Sequence, residues 1–319
     1  MDEISLTPEE VAAKLKIAKN TVYELIKRGE LPAYRVGRKI RVDLKDVENY
    51  KRQGKKTDYG EEEKLIEPTE KIAPPPKGIV ICGQDVLLDV LTRHLERHRN
   101  AIQAYRHGIG SFPGLMALYH EKADMAAIHL WDGNANIYNI PYVLYMLPGI
   151  QTIIIHLACR MQGFYVAKGN PKDILSWKDL TRKDITFINR EKGSGTRVLL
   201  DEKLRLLGID RRIIRGYDME EPSHLAIASN VARGDADVGL GNEKVSMQVR
   251  GVDFIPLHKE RYELVIRKED LSKPYIQATI EILQSQEFKK ELAGLGDYDI
   301  SETGHFIARS LDDTEYPVK

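Results

Sequence analysis

The sequence has few cysteines, no uninterrupted apolar run of membrane length and no excess of charge of either sign. Its two cysteines, Cys82 and Cys159, each lie in an apolar stretch, which excludes a disulfide framework and favours reduced core thiols. The most apolar segment, residues 140–158, contains two prolines, a glycine, a glutamine and a histidine. It therefore does not predict a transmembrane helix.

The charge and length of the sequence further restrict the class of protein. The 48 lysines and arginines balance the 48 aspartates and glutamates, and 42% of residues are apolar, as in ordinary globular proteins. The first ten residues include four acids and no cation ahead of an apolar run, so they do not resemble a secretory signal. We expect a cytoplasmic protein without a membrane segment, and the length of 319 residues predicts two domains or slightly more.

A break in composition divides the chain. Residues 54–77 are charged, nearly free of apolar periodicity, and end in three consecutive prolines. Such a segment cannot bury a core, and its proline end favours a stiff extended spacer. We predict a small domain over residues 1–54, a linker over 55–77 and a large domain over 78–319.

The small piece has the local signals of helix, turn, helix and hairpin. Thr7, Pro8 and Glu10 form the signature of a capping box, which predicts a helix start. A second helix is predicted from about Lys19 to Arg28, and two short strands with alternating apolar and basic residues follow it. A third helix is predicted from residue 43. This order is typical of a winged helix-turn-helix.

The charge of this piece indicates a nucleic-acid partner. Residues 14–41 contain nine basic residues and only two acids. The cations fall on the second helix and the hairpin, the elements that dock on DNA in this architecture. We therefore predict double-stranded DNA as a partner rather than a merely solvated basic surface.

The segment LTPEEVAAKLKIAKNTVYELIKRGELPAYRVGRKIRVDLKDVENY is similar to the winged helix-turn-helix of phage excisionases and the mercury-resistance-regulator superfamily. The resemblance covers about 45 residues without a gap. It implies that one set of side chains faces the major groove and another reaches phosphates or the minor groove. The first set is Asn20, Thr21, Tyr23 and Lys27, and the second is Arg35, Arg38, Lys39 and Arg41. A packing role for Tyr23 remains open.

The large piece alternates strands and helices, as in GIVIC followed by DVLLDVLTRHLERH. This alternation predicts an α/β domain with parallel strands covered by helices. Two such runs, joined through residues 150–168 and 254–267, predict two lobes with two crossing segments. We place lobe I at about 78–160 and 260–319 and lobe II at about 161–255, with a ligand cleft between them.

Three turns between strands and helices favour an anion. They are Gly83-Gln84-Asp85, Gly110-Ser111 and the turn KGSGTR at residues 192–197. Glycines allow close backbone approach, and the amides at a helix N-terminus favour negative charge. The acid Asp85 weakens the first of these turns as an anion site, and an unoccupied capped turn remains the alternative for the third.

The second half resembles a cytoplasmic branch of the periplasmic-binding-protein superfamily that is similar to molybdate-binding proteins and is often attached to a helix-turn-helix. The stretches HLWDGNANIYNIPYV, NREKGSGTRVLLD and GYDMEEPSHLAIASNVARGDADVGLG carry the resemblance. It implies a bilobal, type II binding-protein fold and a set of cleft residues. These are Gly110, Ser111, Asp132, Tyr138, Asn139, Arg160, Ser194, Gly195, Thr196, Arg197 and His224. Structural roles for Asp132 and His224 remain open.

No set of residues in the sequence indicates catalysis or a metal site. His94 and His98 lie four residues apart but have no third ligand at matching spacing. No thiol nucleophile is evident at either cysteine. We therefore expect no cofactor and no enzymatic activity. The sequence predicts a ligand-responsive transcription regulator that forms a homodimer and binds a small anion, and the family resemblance implies molybdate or tungstate as that anion.

Two alternatives remain at this point. One is a protein of molybdenum-cofactor metabolism that binds a molybdopterin-like ligand. The other is an excisionase-type recombination factor, although such a factor needs only the small domain.

Overall fold

The computed structural model describes residues 5–37, 39–54 and 78–308. The chain forms two compact units, Met1–Lys71 and Ile72–Lys319. The predicted linker at 55–77 and the hairpin residue Arg38 lie outside the described residues. Among the helices of the described residues, none is long and apolar enough to cross a membrane.

The first unit has the predicted helix-turn-helix with a wing. Its elements are β1 (Ser5–Leu6), α1 (Pro8–Leu15), α2 (Lys19–Lys27), β2 (Tyr34–Val36), β3 (Lys39–Asp43) and α3 (Leu44–Gly54). The antiparallel sheet has the order β1-β3-β2. Apolar residues of all three helices meet in one small core with Val42 of β3.

Local signals determine where these elements begin and end. The Thr7 hydroxyl accepts from the backbone N–H of Glu10, and the Glu10 carboxylate accepts in return from Thr7, so the predicted capping box is present. Gly37 adopts φ +62 between β2 and β3, a conformation that favours glycine. In contrast, α2 begins after Ala18 with no side-chain cap. Packing of its buried residues, Val22 and Leu25, therefore stabilises this helix.

The second unit is built on one mixed sheet. Its elements, in chain order, are β4 (Ile79–Cys82), α4 (Leu87–Arg97), β5 (Ala104–His107), α5 (Ser111–Tyr119), β6 (Met125–Ile128), β7 (Trp131–Asp132), β8 (Ile137–Tyr138), α6 (Ile140–Met146), β9 (Thr152–Ala167), β10 (Phe187–Arg190), α7 (Gly195–Leu206), β11 (Glu220–Glu221), α8 (His224–Arg233), β12 (Val238–Asn242), α9 (Glu243–Ser246), β13 (Val252–Arg267), α10 (Pro274–Gln284), α11 (Gln286–Leu295) and β14 (Phe306–Ala308). The strand order is β11-β10-β12-β9-β13-β6-β4-β5, and β14 pairs with β9.

Two 16-residue antiparallel strands, β9 and β13, connect the two halves of this unit. One end of the pair joins the parallel strands β4, β5 and β6, and the other joins β10, β11 and β12. The first group, with helices α4 to α6, α10 and α11, is lobe I, and the second, with helices α7 to α9, is lobe II. The predicted α/β class and bilobal binding-protein fold with two crossing segments are confirmed.

Separate cores stabilise the lobes. In lobe I, α4, α10 and α11 pack against one face of the sheet around Leu91, Leu283 and Phe288. In lobe II, α7 packs over Phe187 and Val238. Each lobe buries its apolar residues in its own core, and mainly polar side chains line the cleft between the lobes.

Candidate ligand cavity and DNA-binding surface

The first turns of two helices, one from each lobe, meet at the cleft. The backbone N–H of Phe112 in α5 donates to the carbonyl oxygen of Gly193, just before α7, at 2.9 Å. A Cβ on Gly110 would lie 3.0 Å from the Cα of Ser194, so the two segments are in close contact. The lobes are therefore closed here, and two helix N-termini face one enclosed space.

In this closed arrangement the space is a small cavity of about 10 Å³, room for about one water molecule. Its walls come from both lobes and from the two connecting strands. The lining residues are Gln84, Asp85, Ile109, Gly110, Ser111, Ala127, His129, Arg160, Arg190, Ser194, His224 and Tyr262.

Arg160 is the central cation of the cavity and is buried. Its guanidinium carbon lies 4.2 Å from the centre of the Tyr262 ring. Its Nε donates to Glu260 and a terminal nitrogen donates to Asp85. Burial alone would lower the pKa of Arg160, but the carboxylates of Glu260 and Asp85 more than offset this effect and raise it.

The two buried acids are fully occupied by protein donors. Glu260 also accepts from His129 Nδ1 at 2.6 Å and from Gln162 at 2.8 Å. Burial by itself would raise the pKa of Glu260, but the charge of Arg160 and the hydrogen bond from His129 lower it to about 2. Asp85 accepts from the Leu87 amide at 2.8 Å and from the Tyr298 hydroxyl at 2.6 Å. These acids therefore hold Arg160 and His129 in place.

Three side chains have polar atoms that are available to hydrogen-bond a ligand. Tyr262 Oη and His224 Nδ1 are buried without a hydrogen-bond partner among the described residues. Ser111 Oγ accepts from the His129 amide at 3.3 Å, and its proton has no acceptor in the described part of the chain. Burial, with the charges of Arg190 and Arg160, lowers the pKa of His224 well below 6.5, so its imidazole is neutral. Buried polar atoms of this kind are satisfied by water or by a ligand.

Five of the predicted ligand residues line this cavity: Gly110, Ser111, Arg160, Ser194 and His224. Ser194 Oγ is already engaged, because it caps α7 by accepting from the Arg197 amide and donates to the carbonyl oxygen of Glu191. Gly195 lies at the wall, since a Cβ there would be 2.6 Å from the His129 ring. Thr196 is buried beside it and its hydroxyl faces Gln162 at 3.3 Å.

Arg197 points away from the cavity, contrary to the sequence-based expectation. Its guanidinium lies over the Tyr217 ring at 4.4 Å and pairs with Asp201 at 3.2 Å and Glu220 at 2.8 Å. It lines a separate surface pocket of lobe II with Lys192. The reason is helical geometry: the third residue of α7 lies on the side of the first turn that faces lobe II.

Three other predicted residues build structure beside the cleft. Asp132 accepts from the amides of residues 134 and 135 and closes the turn between β7 and β8. Asn139 accepts from the Leu130 amide at 2.6 Å and donates to Glu263 at 2.8 Å. Tyr138 is buried near His258, and its hydroxyl has no partner among the described residues. In the structure these residues do not line the cavity.

Sequence reasoning named the turn Gly83-Gln84-Asp85 but missed His129, Arg190 and Tyr262 of the cavity lining and Glu260 beside it. Glu260 carried a usable signal. Arg160 is a charged residue inside the mostly apolar strand β9, and Glu260 is its direct cross-strand partner in β13. A charge inside a buried strand needs an opposite charge.

The candidate DNA surface consists of the exposed face of α2 and the hairpin. Asn20, Thr21, Tyr23 and Lys27 are all exposed on α2. Tyr23 is 39% exposed, and the ammonium group of Lys19 lies 5.9 Å from its ring centre. This exposure leaves Tyr23 free to contact a partner.

The basic residues of the hairpin lie on two faces. Tyr34 pairs with Arg41 and Val36 pairs with Lys39, so these four share one face, whereas Arg35 lies on the other. Arg35 and Lys39 are exposed, and Arg41 is half-buried. The exposed cations of α2 and the hairpin are suited to phosphate contacts.

Comparison with known proteins identifies the family of the second unit. The model of the PBP superfamily domain matches residues 92–284, more than half of the chain. The chain belongs to the PBP superfamily. A helix-turn-helix domain model matches residues 5–55.

Two proteins and one solved structure are similar to this chain. The protein YvgK of Bacillus subtilis, which is uncharacterised, is 44% identical over 308 residues, covering 95% of this chain and 97% of that protein. A Mycobacterium tuberculosis protein described as DNA-binding is 57% identical over 42 residues, 13% of this chain and 54% of that protein. A phosphate-bound structure from Clostridium perfringens, described as a substrate-binding protein of a phosphate ABC transporter, has a TM-score of 0.53 at 16% identity, covering 70% of this chain and 98% of that one.

A helix-turn-helix DNA-binding domain joined to a PBP-like ligand-binding domain is the organisation of a ligand-responsive regulator. Neither domain is of an enzymatic type. Within the described residues, no three His, Cys, Asp or Glu side chains come together as metal ligands.

Proposed function

We propose that this PBP superfamily member is a cytoplasmic one-component transcription regulator. Its helix-turn-helix binds double-stranded DNA, and its bilobal domain binds a small anionic effector. The observation that carries the proposal is the contact of Phe112 with Gly193, which brings two helix N-termini to one enclosed cavity in a chain that also has a DNA-binding domain. Amides at helix N-termini favour negative charge.

The hydrogen-bonding groups of the cavity support an acceptor-rich effector. Ser111 and Tyr262 offer hydroxyl protons, and Arg160 lies beside them. Arg160 is paired with both Asp85 and Glu260, and Arg190 is paired with Glu191, so the cavity has no surplus cation. Amides and hydroxyls would then bind an oxyanion, as oriented dipoles do in backbone anion sites.

Molybdate and tungstate are the first effectors to test, because the sequence resembles molybdate-binding proteins. Phosphate is the next, because the Clostridium perfringens protein of similar fold holds phosphate. Sulfate completes the set as a tetrahedral oxyanion of similar shape.

Regulation requires the effector to bind one arrangement of the lobes better than another. A ligand that contacts both helix starts binds the closed cleft preferentially, and a coupling of about 1–3 kcal/mol to the DNA-binding domain is typical of such systems. We further propose that the protein binds DNA as a homodimer on two half-sites, since helix-turn-helix readers commonly do so.

Calorimetry with the four oxyanions tests the effector. The wild-type protein is expected to give heat with at least one of them, and Ser111→Ala is expected to weaken that binding. Ser229→Ala, which removes a hydroxyl from α8 outside the cavity, is the matched control. Absence of binding to all four oxyanions at millimolar concentration would contradict a small oxyanion as effector.

A further inference from the structure

The closed cavity adjoins a larger groove, and Gln84, Asp85 and His224 line both. The groove has a volume of about 520 Å³ and lies between the lobes, with walls that include Val86 and Arg106 of lobe I and Leu225 and Gln248 of lobe II. Gln84 lines both the groove and the cavity.

Gln84 hydrogen-bonds to both lobes. Its Nε2 donates to the carbonyl oxygen of Gly108 in lobe I at 3.0 Å and to that of Pro222 in lobe II at 3.1 Å. Its Oε1 accepts from Arg190 of lobe II at 2.6 Å. Carbonyl oxygens only accept and a guanidinium only donates, so the amide orientation is determined by its partners.

The backbone before Gln84 holds this side chain at the cleft. Gly83 has φ +145, and a Cβ there would lie 2.5 Å from a methyl group of Leu88 and 2.6 Å from Tyr262 Oη. Glycine is therefore required at this position, directly after β4. On the far side, Arg190 is fixed by Glu191 at 2.7 and 2.8 Å, so Gln84 meets an oriented partner.

The groove contrasts with the cavity in its chemistry. Arg106 is occupied by Asp89 at 2.7 Å and by the carbonyl oxygen of Asp85 at 3.1 Å. Lys244 is occupied by the carbonyl oxygen of Leu295 and lies 3.5 Å from Asp297. Asp85, a further charged residue of the wall, is paired with Arg160, and the remaining side chains are neutral, including Val86, Leu225 and Gln248. The groove thus suits an uncharged organic group rather than a second anion.

We propose that Gln84 determines effector size: it admits an oxyanion to the cavity, closes behind it by bridging the lobes, and excludes organic esters of the same oxyanion. This inference rests on the proposed anion site. A larger ligand would extend into the groove and displace Gln84, losing its hydrogen bonds to Pro222 and Arg190. Net loss of one or two hydrogen bonds corresponds to a change in affinity of about ten-fold.

Binding of inorganic phosphate and phenyl phosphate to three proteins tests the proposal. The wild type is expected to prefer inorganic phosphate by at least about ten-fold, the equivalent of one or two hydrogen bonds. Gln84→Ala is expected to reduce or abolish that preference. Gln248→Ala, which alters the groove but not the bridge, is expected to keep it. An unchanged preference in Gln84→Ala, or an equal change in both variants, would overturn the proposal.

Hydrogen exchange measured without ligand tests the bridging role of Gln84 independently of the proposed effector. The amides of Phe112 and Gly133 donate across the lobes, to Gly193 and Glu202, and should exchange faster in Gln84→Ala than in wild type. If neither phosphate binds the wild type, the size selection fails, whereas the oxyanion effector fails only if molybdate, tungstate and sulfate do not bind either. The bridging role of Gln84 is then decided by exchange alone: faster exchange supports it, and unchanged exchange overturns it.

Discussion

The amide of Phe112 and the carbonyl oxygen of Gly193, 2.9 Å apart, join the first turn of α5 in lobe I to the turn before α7 in lobe II. The cavity lies beside this contact, so a ligand there contacts both lobes. Binding is consequently linked to closure of the cleft, because only the closed arrangement brings both helix starts to the ligand.

Arg160→Met is expected to lower the free energy of unfolding by about 3–5 kcal/mol, because Asp85 and Glu260 would remain buried without their cation. Urea unfolding measures the change. Arg212→Met is the control, since its pair with Asp210 is exposed and should contribute little. Equal, small losses in the two variants would show that the buried network is not a stabilising unit.

The stability of the protein is expected to decrease as pH falls below 6.5, in part because of His224. Burial holds the pKa of His224 well below 6.5 in the folded protein, so the unfolded chain binds the proton first. One such group contributes a slope of up to about 1.4 kcal/mol per pH unit. His224→Gln should have a shallower slope in urea unfolding between pH 7.5 and 5.5. Identical slopes for both proteins would mean that His224 is not buried as a neutral group.

Arg197→Met is expected to leave oxyanion affinity unchanged while Ser111→Ala weakens it. Arg197 is bound to Asp201 and Glu220 on the far side of α7, and Ser111 lines the cavity. Calorimetry with the oxyanion that binds the wild type measures both. Loss of binding in a folded Arg197→Met protein would place the anion at the lobe II pocket instead.

Arg35→Ala combined with Lys39→Ala is expected to reduce the salt dependence of DNA affinity by about two units, one per phosphate contact. Both side chains are exposed on the hairpin. Fluorescence anisotropy at several salt concentrations measures the slope. The charge-matched control is Arg99→Ala with Lys290→Ala, two exposed cations of the second unit, and its slope should equal that of the wild type.

The sequence predicted the architecture well because its signals are local. The capping box at Thr7, the turn at Gly37 and the alternation of strands and helices each depend on neighbouring residues. The helix start at Ser194 was predicted for the same reason, and its side chain caps α7.

The cavity was predicted only in part because its residues come together through long-range contacts. Asp85 is 75 positions from Arg160, and Glu260 is 100 positions from it. No periodicity reveals such a pairing. Asp85 alone suggested repulsion of an anion, whereas in the structure its carboxylate is paired with Arg160. Arg197 was misplaced because spacing in a turn does not indicate which side of the helix faces the cleft.

The central claim is that ligand binding in the cavity changes DNA affinity. The direct measurement is the fluorescence anisotropy of a labelled DNA duplex that the wild-type protein has selected from random sequences. It is made with and without a saturating amount of the oxyanion that binds in calorimetry. We predict a change in DNA affinity of about 5–150-fold, the range for allosteric coupling of 1–3 kcal/mol. Ser111→Ala should need a higher concentration of the oxyanion for the same change. Equal DNA affinity with and without the bound oxyanion would contradict the account.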